Sequence, residues 1–364
     1  MMHLRGVLLG CSLLALTAMP VWASEEKAAS YPGLSNELLL EIQSEHGYDS
    51  DTPLNERNNT FGRAELASGL AFSENWAVES LLVFEPVQAG DPGDDTFFEN
   101  EGAYFEELKV SYSRGPWGAF FGKFDPGFGI AWDWGRGIWG EDFAEDYELA
   151  ERLGFGVSHA FETEKSGTHT ITASTFFADT TFLSQSTITG RGKLKKSDGG
   201  ASNTEDFSSF ALSLDGENVA GVENLGYHVG YRHQAEGDAN TGGDDEDGLA
   251  LNVRYLIPVT DRVKVDAFAE YAGIWNVDGS LDDMTYLTAS AGVILDDHWN
   301  VTLSHTARQT DFNGGGDMND RLTQLSAGYT FDCGLSLEAG WRGAEEAGVN
   351  TDIIGGLVRK TLTF

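Results

Sequence analysis

The sequence predicts an all-β protein, a transmembrane antiparallel barrel of sixteen strands, from three observations. Apolar and polar residues alternate in segments of about ten positions along most of the chain, which is the length and period of a membrane β-strand, about 9–11 residues. The connections between these segments alternate between short turns and long loops. Beyond the first residues, no apolar stretch approaches the roughly 18 positions of a membrane helix. A chain crossing the membrane with strands keeps a low mean hydropathy, because every second side chain is free to be polar.

The amino end, residues 1–23, reads as a cleaved export signal. Arg5 supplies the positive start, Val7 to Met19 the apolar run, and Val21-Trp22-Ala23 the small-residue cleavage pattern. Leu8-Leu9-Gly10-Cys11 is a faint lipoprotein-like box, but it precedes any apolar core. Cleavage takes Arg5 from the 23 basic residues and leaves 22 against 58 acids, a net charge of −36. Such a chain lacks the basic footprint of a nucleic-acid partner. Cys333 is then the one cysteine remaining, so no intramolecular disulfide forms. No pattern points to a cofactor or a bound metal.

Residues 24–364 make up the barrel, with strands expected at 34–43, 60–72, 76–85, 103–113, 117–125, 151–161, 168–179 and 206–215. The second half continues at 225–234, 248–257, 262–275, 284–295, 299–311, 321–331, 335–345 and 351–364. In the twelfth, Leu287, Ala289, Ala291, Val293 and Leu295 share one face. Asp296-Asp297-His298 then turns the chain into the thirteenth, where Val301 and Leu303 face out while Asn300, Thr302 and Ser304 face in. Turns follow the even strands, as at Ser73-Glu74-Asn75 and Arg114-Gly115-Pro116. Long loops follow the odd ones, as at 86–101, 180–205 and 235–247.

Trp76, Trp117 and Trp299 each open a strand directly after a short turn, where an aromatic girdle meets the interface. Trp275 and Trp341 approach the opposite rim. The last strand ends on Phe364, and a terminal phenylalanine on an alternating strand resembles the signature of Gram-negative outer-membrane barrels. That resemblance implies the barrel-assembly machinery as a partner, outer-membrane lipid and lipopolysaccharide as surroundings, and the outer membrane as the location.

With the apolar face toward lipid, the inner face carries Arg63, Lys109, Lys123, Arg152, Arg232, Arg254, Lys264, Arg308, Arg342 and Arg359. Acids are interspersed at Glu37, Glu41, Glu65, Glu79, Glu107, Asp266, Glu270 and Glu338. Each unpaired ion in a dry core costs several kcal/mol, whereas sixteen strands enclose a water-filled lumen. A pore follows.

Between Pro126 and Ala150 the alternation stops. This loop holds five glycines, six aromatics, six acids and one arginine, Arg136. The chain resembles the sixteen-stranded porins of Gram-negative bacteria over its mature length, and "DFAEDYELAERLGFG" resembles a segment recurring in porin-like proteins. In that family the third long loop folds inward and narrows the channel, and the barrels often form trimers. The resemblance implies that 126–150 is a constriction loop. Its carboxylates Asp133, Glu141, Asp142, Glu145, Asp146 and Glu148 would face the basic wall and set a transverse field. Trp132, Trp134 and Trp139 would pack the loop or offer stacking surfaces. The function expected is passive diffusion of small hydrophilic solutes, with mild cation preference from the acidic mouth. The alternatives are a substrate-specific uptake channel for a sugar, phosphate or chelated metal, and a closed structural or adhesive barrel.

Other signals are weaker. Gly135 to Gly140 matches G-x-G-x-x-G but lacks a βαβ context. Gly237 to Gly248 suggests calcium, yet Leu249 fills the twelfth position counted from Asp238. The basic cluster Arg191 to Lys196 would suit lipopolysaccharide phosphates or simple solvation. Ser158 beside His159, and Ser304 beside His305, point to opposite faces of their strands, so neither pair forms a catalytic dyad and no enzyme is expected.

Overall fold

The computed structural model describes residues 31–140, 142–163, 165–237 and 243–364. The export signal, Glu141 and residues 238–242 of the acidic loop lie outside the described residues. Sixteen strands close into one antiparallel barrel. They are β1 (Gly33–Ser50), β2 (Asn58–Ala71), β3 (Trp76–Pro86), β4 (Glu101–Arg114), β5 (Trp117–Phe124), β6 (Arg152–Thr163), β7 (Gly167–Ala178) and β8 (Ser209–Glu217). Next come β9 (Leu225–Gln234), β10 (Glu246–Pro258), β11 (Val263–Trp275), β12 (Asp283–Leu295), β13 (Trp299–Asp311), β14 (Asp317–Thr330), β15 (Leu335–Glu346) and β16 (Val349–Thr363).

Each strand pairs with its sequence neighbours, and β1 with β16 closes the ring from Glu37↔Thr363 to Ser50↔Thr351. Asn36 and Phe364 exchange both backbone hydrogen bonds, at 3.0 and 3.1 Å, so the terminal phenylalanine completes the seam. Closure pairs the first strand with the last, as a barrel in lipid requires.

The two faces divide as the alternation predicts. Trp76, Trp117 and Trp299 stand on the outer surface, where Trp76 packs on Tyr112 at 4.8 Å and Trp299 on Tyr329 at 4.7 Å. His159 stacks against Trp117 outside the barrel, and His305 bonds Thr323 there, while Ser304 is buried on the inner side. Long loops leave one end and short turns the other, with departures at three hairpins. Residues 347–348 make a two-residue turn and 312–316 a five-residue one on the long-loop side, and 218–224 is a seven-residue connection opposite.

Several strand ends differ from expectation; β14 starts at Asp317 rather than 321 and β8 at Ser209 rather than 206. β1 runs on to Ser50 because its last residues are polar on both faces. The hydropathy signal fades there while the ladder to β2 and β16 continues. β5 has eight residues and stops at Phe124, after which the chain turns into the barrel. The inner face is also less uniformly polar than a water-filled lumen predicts. Phe176 of β7, Ala250 of β10, Phe268 and Ile274 of β11, Tyr286 of β12 and Leu322 of β14 point inward. They form one apolar cluster with the loop that follows β5.

Candidate functional site

The third long loop, L3, spans the residues between β5 and β6. It folds into the lumen and reaches the far wall. Its path carries a single helical turn at Ala131–Trp134 and a 3₁₀ segment at Asp142–Tyr147. Ala131, Trp132, Phe143, Ala144, Tyr147 and Leu149 are buried in the apolar cluster, which supplies the hydrophobic drive for docking.

Polar contacts fix the path residue by residue. Glu270 of β11 accepts from the backbone N–H of Ile130 at 2.8 Å and of Ala131 at 3.2 Å, and from the Tyr147 hydroxyl at 2.8 Å. Gly129 sits there with φ +70°, and a Cβ would meet the Tyr147 ring at 2.8 Å. Arg136 donates to Asp266 at 2.9 Å. Gln324 of β14 donates to the Gly140 carbonyl at 3.0 Å, and Arg232 of β9 to the Tyr147 carbonyl at 2.5 Å.

The tip is held by a notch in the wall. Gly340 of β15 and Gly355 of β16 are direct cross-strand partners on the inner face. The Trp139 ring lies so close that a Cβ on either glycine would approach it to 2.9 and 2.8 Å. Its indole N–H donates to Glu45 of β1 at 2.6 Å. Glu45 lies past the expected end of the first strand, which is why sequence reasoning missed it, although it continues the inward series of Glu37 and Glu41.

The loop carboxylates fall into two groups. Asp142 forms a buried ion pair with Arg342 of β15. Asp146 meets Arg308 of β13 at 2.6 Å and accepts from Tyr286 at 3.1 Å. These charges touch their partners directly, so the expected field across an open gap between loop acids and the wall of arginines does not arise here. By contrast, the side chains of Asp133, Glu145 and Glu148 make no hydrogen bond or ion pair among the described residues. Their electrostatic neighbours are largely acids: Glu107 and Glu65 for Asp133, Glu85 for Glu145, and Asp125 for Glu148, with Arg63 the cation in reach of the last two.

Enclosure and these neighbours move the loop acids. Burial first, then the Glu270 and Glu107 carboxylates, push Asp133 up to about 7. Burial, opposed by Arg342, pushes Asp142 up to about 6. Burial and then Asp133 and Asp125 hold Glu148 well above the usual carboxylate range.

The remaining expected basic residues are dispersed. Arg63 pairs with Glu65 at 2.6 Å and Lys109 with Glu107 at 2.8 Å, both on the wall nearest the free loop acids. Arg254 lies over the Trp134 ring at 4.5 Å, and Arg152 donates to the Ala150 carbonyl at 2.7 Å. Arg359 pairs with Glu41. Lys264 lies at the turn end of β11, where it reaches Asp297 at 2.6 Å. One expectation is corrected. Lys123 is fully buried, held by Glu151 and Asp179. Within β5 it pairs with Leu108 and Leu153 on the face of the exposed Trp117 and Phe121, so it does not face the lumen.

No family model and no curated protein matches this chain by sequence. Solved structures do. Salmonella typhi OmpF, in a complex with daunomycin, aligns over 91% of this chain and 98% of its own, with TM-score 0.63 and 11% identity. OmpT, an outer membrane protein of Vibrio cholerae in a trimer form, aligns over 91% and 99%, with TM-score 0.52 and 11% identity. The outer membrane channel DcaP of Acinetobacter baumannii aligns over 91% and 96%, with TM-score 0.53 and 12% identity. The chain has the fold of the outer-membrane porins. In this porin fold the inward loop is therefore L3, and its far anchor is the β15–β16 notch.

Proposed function

We propose that the chain is an outer-membrane porin, exported by a cleaved signal, that passes small hydrophilic solutes and ions by passive diffusion and favours cations. One observation carries the reading. L3 is clamped to the β9–β16 side through Arg232, Arg308 and Arg342, so the arginines of that wall are spent on the loop. The carboxylates left over, Asp133, Glu145 and Glu148, turn toward β2–β4, where Glu65, Glu85 and Glu107 outnumber Arg63 and Lys109. Burial raises all three, so their charge appears as pH rises, for Asp133 above about 7 and for Glu145 above about 9. Once ionised, like charge on both sides of the passage concentrates counter-ions and excludes anions. Catalysis is not part of this reading, since His159 and His305 face outward while Ser304 faces in. A trimer, as in the Vibrio cholerae relative, is the proposed assembly.

The apolar cluster that L3 brings into the barrel favours a second reading, a closed structural barrel. Planar-bilayer recording decides between them. The porin reading expects stepwise conductance and a cation-side reversal potential in a salt gradient, with larger and less selective steps when residues 133–148 are deleted. An anion-side potential overturns the selectivity, and absence of conductance overturns the channel.

A further inference from the structure

L3 leaves the wall incomplete, and the fourth long loop repairs it. β4 rises to Glu101, but β5 pairs with it only from Leu108↔Lys123 to Arg114↔Trp117. Above Leu108, seven residues of β4, 101–107, lose their β5 neighbour. An unpaired strand edge facing lipid is not tolerated, because no water is there to satisfy its backbone groups. The loop after β7, L4 (residues 179–208), crosses the top of β6 and fills the gap. Thr187 and Ile188 pair antiparallel with Ala103 and Gly102. Thr189 N–H donates to the Glu101 carbonyl at 3.2 Å, and Gln88 donates to the Gly190 carbonyl at 2.6 Å.

This patch is pinned by an ionic knot at the point where β5 stops. The Arg191 guanidinium grips both Glu151 carboxylate oxygens, one at 2.7 Å, donates to the Ser184 carbonyl at 2.9 Å and lies over the Tyr104 ring at 3.7 Å. Lys123, fully buried, bonds Glu151 at 2.6 Å, Asp179 at 3.1 Å and the Leu183 carbonyl at 3.0 Å. Two cations face two carboxylates, so the knot is charge-balanced and needs no outside ion. It also occupies Arg191, the first member of the basic cluster Arg191 to Lys196.

We propose that L4 is a strap closing a lateral opening in the barrel wall beside β4, past the ends of β5 and β6, and that the Lys123–Glu151–Asp179–Arg191 knot is its latch. The seam holds two ladder pairs where β4 and β5 share seven. Stability against local opening scales with such contacts, so this is the part of the wall that opens first. Behind the strap lie Tyr104 and Val83, both buried on the inner face. An open strap joins the lumen above L3 to the outer leaflet, a route for amphipathic solutes that a closed wall denies.

The test uses the full chain with Cys333→Ser in lipid vesicles. Ala103→Cys with Thr187→Cys, direct partners at the seam, forms a disulfide across the strap. Arg191→Gln with Lys123→Met removes both cations of the latch. The strap reading expects trypsin to cleave at Lys193 to Lys196 at least tenfold faster in the latch variant, and a fluorophore at Tyr104→Cys to become quenched by a lipid-borne quencher. The engineered disulfide reverses both effects. Heat-modifiable migration on a gel verifies that each variant keeps its barrel. Equal cleavage and equal quenching with and without the latch overturn the proposal, as does failure of the disulfide to form or to reverse them.

Discussion

Trp139 of L3 rests on Gly355 of β16, its ring filling the space that a Cβ at that glycine would need. Two residues 216 positions apart in sequence thus fix where the constriction loop ends. The indole bond to Glu45 adds a polar anchor, so the contact specifies both depth and orientation.

Gly355→Val is expected to expel the ring. Trp139→Ala should cost about 3–5 kcal/mol of loop docking, the usual range for deleting a buried tryptophan. Both variants should show larger, noisier single-channel steps with the barrel intact. Unchanged conductance in Gly355→Val would show that the notch does not position L3.

Arg342 and Asp142 are almost wholly enclosed, with 4% and 6% of their side chains exposed. Removing one partner, as in Arg342→Gln, should weaken loop docking by about 3–5 kcal/mol, because a buried charge is left unpaired. The double variant Arg342→Met with Asp142→Leu should recover most of the loss. A double-mutant cycle on thermal unfolding of the purified porin measures both.

At pH 8, where Asp133 is ionised, Asp133→Asn removes a carboxylate that makes no ion pair among the described residues. Glu148→Gln replaces a group that burial holds well above the usual carboxylate range and should change selectivity less. One unit charge at about 8 Å in water-like surroundings favours a cation by about 0.5 kcal/mol and disfavours an anion equally, so the cation-over-anion permeability ratio should fall about five-fold per ionised charge removed. Asp142→Asn should change that ratio less, since its charge is already balanced by Arg342. Equal effects at the two sites would contradict the division of the loop acids.

Asp133 at about 7 and Asp142 at about 6 lie above the ordinary aspartate value of 3.8. As pH falls through 7 and then 6 they take up protons, so fixed negative charge leaves the passage. Cation preference should therefore decline between pH 8 and pH 5 in reversal-potential measurements. Because the folded values are raised, protonation favours the docked loop. That contribution is complete below the ordinary value and is lost as pH rises through 6 and 7.

By itself, the sequence determined the strand number, the turn-and-loop order at all but three hairpins, and the face that most strand side chains take. These depend on a two-residue period read within one strand, which is local physics. It also marked L3, because five glycines and six aromatics interrupt that period. Only the tertiary structure decided which charges meet. Asp142 finds Arg342 and Asp146 finds Arg308 because the loop crosses the lumen, and no spacing along the chain encodes that crossing. Assigning Lys123 to the pore breaks the two-residue period, since it shares the outward face of β5 with Trp117 and Phe121; only the fold shows that the strap of L4 buries it there.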